Sequence, residues 1–343
     1  MKSILKAFFL VSVLFYSCGT SKKSTSEVSA DSDYTIAFGS CNKQNVKNEL
    51  WDDVLKQKPD LWIWGGDNIY ADTDDMAILK AEYNKQLNNE HYKTLVETTK
   101  ILGTWDDHDY GLNDGGEEFT MKKESQNQFL DFMGVSQNDE RRNKEGVYHT
   151  ENIKTSDGTI KILVLDTRYF RSSLVKDTET KKRYKPNTDI SSTVLGETQW
   201  KWLTDELNSS KADFNIIVGS IQFLSVEHGF ETWGNFPHEL ERLENVIAES
   251  KAKGVLLLSG DRHISEFSKV VVPDLDYPLI DFTSSGLTHS YSNFTSEPNK
   301  NRVGEVVSVK SYGLLKFNFK AHKITMEMYA DGNEKLRQLI QQY

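Results

Sequence analysis

The stretch Leu61-Trp62-Ile63-Trp64-Gly65-Gly66-Asp67-Asn68-Ile69-Tyr70 decides the fold. Leu61–Trp64 reads as a short apolar strand, and the glycines after it let the backbone turn sharply and present an acid. The same order recurs along the chain. A strand over Tyr34–Gly39 ends in Phe38-Gly39-Ser40-Cys41. A weaker strand, Ile101–Trp105, runs into Trp105-Asp106-Asp107-His108-Asp109. Ile160–Leu165 runs into Leu165-Asp166-Thr167-Arg168, and Val255–Ser259 into Leu258-Ser259-Gly260-Asp261-Arg262-His263. In open α/β sheets the crevice beyond the strand C-termini is where ligands bind. Five strand ends that carry Cys, Asp, Tyr and His make a metal-ligand inventory. One Asp-x-His occurs by chance; several such clusters in one chain are a strong signal.

Between the strands, helical spacing is expected over Glu49–Gln57, Met76–Lys100, Glu117–Met133, Glu197–Leu207 and Glu239–Ala248. Further strands are expected at Phe214–Gly219, Lys269–Val272, Leu279–Phe282, Leu314–Phe319 and Ile324–Tyr329, the last two around a turn at Lys320–His322. A polar, lysine-rich loop leads from Leu165 to Ser192. Apolar strands alternating with helices predict an α/β core with helices outside, and the β-rich end predicts a mixed or doubled sheet. With no internal linker or repeat, residues 34–343 read as one domain.

Composition excludes several classes. The 343 residues are 37% hydrophobic and 11% aromatic, too rich for a disordered chain. With 21 Gly, 6 Pro and 2 Cys the chain is neither collagenous nor a disulfide scaffold. A formal charge of −10 argues against a nucleic-acid partner, whose phosphates need a basic face.

At the N-terminus, Lys2 and Lys6 precede an apolar stretch, Ala7–Tyr16, that is too short to span a bilayer as a helix. Ser17-Cys18-Gly19 follows, and the order of features resembles a bacterial lipoprotein signal. The expectation is a signal peptide over 1–17, lipidation at Cys18 and a flexible Ser/Thr/Lys-rich tether over 18–33. It implies an extracytoplasmic protein that meets a bacterial membrane through its anchor only; a monomer is expected. Cys41 is then the only remaining thiol.

The motifs Gly39-Ser40-Cys41, Gly66-Asp67-Asn68-Ile69-Tyr70, Trp105-Asp106-Asp107-His108-Asp109 with Asn113-Asp114, Leu165-Asp166-Thr167-Arg168 and Ser259-Gly260-Asp261-Arg262-His263 resemble those of the PhoD-like (alkaline phosphatase D) metallophosphatases. Gln199-Trp200-Lys201-Trp202-Leu203 and Trp233-Gly234-Asn235-Phe236-Pro237 with Arg242 are similar to that family too. The matches follow the family's order from Ser40 to His263. The resemblance implies a four-layer α/β/β/α metallophosphoesterase sandwich with mixed sheets, and metal-dependent hydrolysis of phosphate esters. The separate N-terminal domain of larger members is not expected, because the first strand follows the tether directly.

Read by their chemistry, Cys41 thiolate and Tyr70 phenolate suit a ferric ion better than Mg²⁺ or Ca²⁺. Asp67 is placed to bridge two metals. Asp107, Asn113 and Asp261 offer oxygens for a harder ion, Ca²⁺ in the family's precedent, and His263 offers nitrogen. Two divalent ions such as Mn²⁺ or Zn²⁺ are the alternative. His108, between two aspartates, is expected to be protonated and to serve the transferring phosphoryl or the leaving alkoxide. Arg168 is a candidate phosphate clamp, with an internal ion pair to Asp166 the competing reading. Trp62, Trp64 and Trp105 read as core, and His228, His238 and His289 as surface or rim. No Ser or Thr beside a base stands out, so in-line attack on phosphorus without a phosphoenzyme is expected. A phospholipase-type phosphodiesterase on the same fold and a non-catalytic binding lipoprotein are the alternatives.

Overall fold

Residues 32–343 are described by a computed structural model, and they form one unit that opens with β1 (Tyr34–Gly39), α1 (Leu50–Gln57) and β2 (Leu61–Gly65). Next come α2 (Met76–Leu87), α3 (Glu90–Thr98), β3 (Lys100–Thr104), α4 (Asp107–Tyr110) and α5 (Lys122–Phe132). The antiparallel pair β4 (His149–Lys154) and β5 (Thr159–Val164) is followed by a small hairpin, β6 (Val175–Lys176) and β7 (Tyr184–Lys185). Then α6 (Gly196–Ser209), β8 (Phe214–Val218), α7 (Pro237–Ser250) and β9 (Val255–Ser259) alternate. The chain finishes with β10 (Ser265–Val270), β11 (Leu279–Ser284), β12 (Arg302–Val307), β13 (Tyr312–Asn318), β14 (Lys323–Tyr329) and β15 (Lys335–Gln342).

Two large mixed sheets result. One has the order β15-β14-β13-β1-β2-β3, the other β12-β10-β11-β9-β8-β5-β4. β1, β2 and β3 run parallel, as do β11, β9, β8 and β5. The alternation in β2 shows how the layers arise. Leu61 and Ile63 pack with Ile36 and Phe38 against Ile162, Val164, Ile216 and Leu258 of the second sheet. Trp62 and Trp64 point the other way, into a cluster with Trp51 of α1 and Tyr92 of α3 whose neighbouring ring centroids lie 5.0–5.5 Å apart. Edge-to-face contacts among such rings add to their area burial. On the far side Trp200, Leu203 and Leu243 of α6 and α7 cover Leu163, Ile217 and Leu257. The order is therefore helices, sheet, sheet, helices, as the resemblance implied.

Some boundaries differ from expectation. The helix expected over Met76–Lys100 is two helices, because Asn89 caps α3 by accepting from the Tyr92 amide. The helix expected from Glu117 begins at Lys122. Strands β4, β12 and β15 were not expected; each lies at a sheet edge, and β15 carries mostly polar residues. The signal-peptide expectation and most of the tether fall outside the described residues.

Candidate active site

The C-terminal ends of β1, β2, β3 and β9 meet where the two sheets face each other, and glycine backbone makes that approach possible. A Cβ on Gly260 would lie 2.5 Å from the Gly65 carbonyl oxygen and from Ser40 Oγ. One on Gly66, whose φ is +93°, would lie 2.6 Å from Asp106 Cβ. The residues just beyond hold left-handed backbone that L side chains disfavour: Cys41 (φ 60°), Asp67 (50°), Asp261 (67°) and His263 (54°). Strain of this kind gathers at functional sites, where the surrounding fold enforces it. Here it holds Cys41, Asp67 and His263 with ligand atoms within 4.8 Å of one another, and Asp261 within that distance of Asp106 and Asp107.

The geometry is tight. Cys41 Sγ lies 3.4 Å from Asp67 Oδ2 and 3.0 Å from Ser285 Oγ. The Tyr70 hydroxyl donates to Asp67 Oδ2 at 3.1 Å and stands 3.1 Å from His263 Nε2. The His108 amide reaches Asp67 Oδ1 at 3.4 Å and Asp107 Oδ1 at 2.9 Å, while the Asp114 amide donates to Asp107 Oδ2 at 2.7 Å. Three overlapping sets have ligand atoms within 4.8 Å of one another: Cys41, Asp67 and His263; Asp67, Asp107 and His108; Asp106, Asp107 and Asp261. Asp67 and Asp107 each belong to two sets, so the arrangement has room for more than one ion.

Protonation behaviour supports the fit to cations. Burial pushes the Cys41 thiol up to about 11, and hydrogen bonds from Ser285 pull only partly against it. Burial, then the neighbouring Cys41 and Asp107, hold Asp67 well above the usual carboxylate range. Burial and Asp106 do the same to Asp261, and burial and Asp67 raise Tyr70. Asp107 is the exception: against burial, Arg168 and His108 hold it below the usual carboxylate value. For the acids that resist ionisation, a multivalent cation among them supplies the missing positive charge. The Asp106 Oδ2 atom is buried without a hydrogen-bond partner at the same place. Burial, Arg262 and His108 push His263 down to about 4, which leaves a neutral imidazole fit to bind metal.

His108 behaves oppositely. Burial disfavours its charge, yet the hydrogen bond to Asp72 and the charges of Asp67 and Asp107 hold it up at about 10. Its Nδ1 lies 2.7 Å from Asp72 Oδ1, so Nε2 is the nitrogen left for another partner. The ring packs on Tyr70 with centroids 4.2 Å apart and stays 20% exposed, within reach of a substrate.

Two expectations meet a different placement. Arg168 is fully buried: its Nε donates to Asp106 Oδ1 at 2.6 Å and its Nη1 to Glu231 Oε2 at 2.7 Å. Arg171 closes the group with an ion pair to Glu231 at 2.9 Å. The Arg168 guanidinium is thus an internal brace under the metal-ligand candidates, with Asp106 rather than Asp166 as partner, and it does not face a phosphate. Asp166 instead accepts from the Arg168 amide. Replacing Arg168 with Ala leaves Asp106 and Glu231 buried without their counter-charge, and a destabilisation of about 3–5 kcal/mol is expected in denaturant unfolding. Unchanged stability with a raised KM would restore the clamp. Asn113 is exposed, and it is the amide of its neighbour Asp114 that reaches the cluster.

Other residues of the site were not foreseen. Asp72 lies in an acidic loop that reads as solvated surface. Ser285 follows the end of β11 and holds both Cys41 Sγ and the His263 amide, the latter at 2.7 Å. Its sequence signal, a strand end before Gly286, was present, but serine is not a metal-ligand type. His289, expected at the rim, has its ring 4.3 Å from that of His263. His228 is buried rather than at the surface, and Trp62, Trp64 and Trp105 are core as expected.

Comparison with known proteins agrees with this geometry. The family model for PhoD-like phosphatases matches residues 36–328. Alkaline phosphatase D of Bacillus subtilis is 30% identical over 117 residues, 32% of this chain, and that match spans only 20% of the relative's length. The solved structure of PhoD superposes with a TM-score of 0.70 at 18% identity, over 90% of this chain and 68% of the other. A dimetal phosphatase from Danio rerio gives 0.54 at 10% identity over 91% and 100%. GAP50, the anchor in the inner membrane complex of Plasmodium, gives 0.59 at 13% identity over 90% and 88%. At these identities the structural likeness is one of fold. With the family model covering most of its length and the strand-end cluster in place, this chain belongs to the PhoD-like phosphatase family.

Proposed function

We propose that the protein is a metal-dependent phosphoric ester hydrolase of the alkaline phosphatase D type, acting on phosphomonoesters or phosphodiesters. The observation that carries this reading is the set of overlapping ligand clusters that links Cys41, Asp67, Asp107, Asp261 and His263, with strained backbone at all of these but Asp107. The Cys41 thiolate and the Tyr70 phenolate, with Asp67 and His263, would hold a ferric ion, and the oxygens of Asp67, Asp107 and Asp261 a second ion such as Ca²⁺. Bound there, the ions supply charge neutralisation and activation of a water.

The chain's own residues do the rest. Asp72 fixes the His108 ring and leaves Nε2 to donate a proton to the leaving oxygen. Tyr70 packs on that ring and limits its swing. Arg168, Asp106 and Glu231 hold the start of α4, where Asp107 sits, from beneath, a positioning role. No seryl or threonyl nucleophile enters this reading.

Hydrolysis of p-nitrophenyl phosphate and bis(p-nitrophenyl) phosphate tests it, with loss on chelation and return on adding metal. Hydrolysis of both esters that survives exhaustive chelation would overturn it.

The lipoprotein-like order of residues 1–19 supports placing the protein outside the cytoplasm on a lipid at Cys18. Replacing Cys18 with Ser is expected to shift it from the membrane fraction to the soluble or unprocessed pool. Unaltered processing and fractionation would refute the anchor.

A further inference from the structure

Three of the four arginines around the site are buried or nearly buried in their ion pairs. Arg168 and Arg171 are spent on Asp106 and Glu231. Arg262 is 10% exposed, reaches both oxygens of Glu297 at 2.9 and 3.0 Å and lies over the Phe230 ring at 4.2 Å. Arg183 differs. Its side chain is 52% exposed, and its carboxylate partner, Asp114 at 2.5 Å, is shared with the Tyr184 hydroxyl. Asp114 in turn donates its amide to Asp107. The guanidinium therefore sits one residue outside the ring of metal-ligand candidates.

Its setting is built. Arg183 occupies the β6–β7 hairpin, where the Arg183 and Tyr184 amides donate to the Gly229 carbonyl at 3.0 and 2.9 Å. Asp177 caps the turn by accepting from the Glu179 and Thr180 amides at 2.8 and 2.9 Å. Residues 175–185 hold five basic residues against Asp177 and Glu179, in a chain whose formal charge is −10. On this acidic protein a hairpin with a local excess of basic residues meets the metal-ligand candidates through Arg183 and Asp114. Fields of this kind concentrate anions and set selectivity.

We infer that the β6–β7 hairpin, through Arg183, is a substrate subsite for a second anionic group, so that the site prefers phosphate esters carrying a further phosphate near the scissile one. The inference rests on the phosphoesterase reading and adds the substrate class. Because Arg183 lies outside the ligand ring, it meets the neighbouring group of the ester rather than the phosphoryl being transferred.

The test compares glucose 1,6-bisphosphate with glucose 6-phosphate on the wild-type and Arg183→Ala proteins, following phosphate release. The wild type is expected to favour the bisphosphate in kcat/KM by about 10-fold at low ionic strength, with the advantage shrinking as salt rises. Arg183→Ala should lose that preference, and Arg183→Lys should keep part of it as a point charge. Lys201→Ala, on an exposed helix face and paired with Asp205, should leave the ratio unchanged. Hydrolysis of both esters with equal kcat/KM, or a full preference retained in Arg183→Ala, overturns the subsite alone. Hydrolysis of neither ester by metallated wild type overturns the subsite, and the phosphoesterase reading falls with it only if p-nitrophenyl phosphate and bis(p-nitrophenyl) phosphate are also left intact.

Discussion

Asp67→Asn is expected to abolish turnover, with a loss of at least about 10³-fold in kcat/KM. Asp67, like Asp107, belongs to two candidate ligand sets, within 4.8 Å of Cys41 and His263 on one side and of Asp107 and His108 on the other. An amide keeps the size and tolerates the left-handed backbone at this position (φ 50°), so the fold should persist. What it loses is the negative charge that draws in a cation. Metal charge stabilisation is worth several kcal/mol of barrier, and each 1.36 kcal/mol is tenfold in rate. Stability should not fall, because a carboxyl that burial already holds well above its usual range gains nothing from its charge without metal. Rates, metal content and thermal unfolding of the purified variant check all three points. An Asp67→Asn protein that keeps its metal and turns over within tenfold of wild type would contradict the role.

His108→Ala should give a loss that depends on the leaving group. Asp72 holds His108 through Nδ1 and keeps it charged, so the other nitrogen carries the proton that a poor leaving group needs. General acid groups contribute roughly 10²–10⁴-fold. The full loss is expected on an alkyl phosphate and a much smaller one on p-nitrophenyl phosphate, whose leaving group departs without protonation. Equal losses on the two esters would make His108 a ligand or a scaffold residue, a role its place beside Asp67 and Asp107 also permits.

Much of this was legible in the sequence, for physical reasons. The strand in Leu61–Trp64 is visible because both its faces are buried, one against the second sheet and one against Trp51 and Tyr92. The glycines before Asp67 and Asp261 mark sharp turns, and the clashes that a Cβ would meet at Gly66 and Gly260 show why no other residue fits. Edge strands escaped notice because a strand such as β15, with its many polar residues, carries little alternation. Arg168 illustrates a different limit. A sequence shows that an arginine follows a strand, but not that Asp106 and Glu231, distant in the chain, converge on it in the interior. Asp72 and Ser285 act through hydrogen bonds to His108, Cys41 and His263, and such partners have no spacing rule to betray them.

The most direct test of the central claim is elemental analysis of the purified wild-type protein and of Cys41→Ala, read beside their phosphoesterase rates and visible spectra. Bound iron with a second ion is expected in the wild type, with a visible absorption from the thiolate–phenolate pair, and iron, colour and turnover should be lost together in the folded variant. A Cys41→Ala protein with full metal content and full activity, or a metallated wild type that cleaves neither mono- nor diesters, would contradict it.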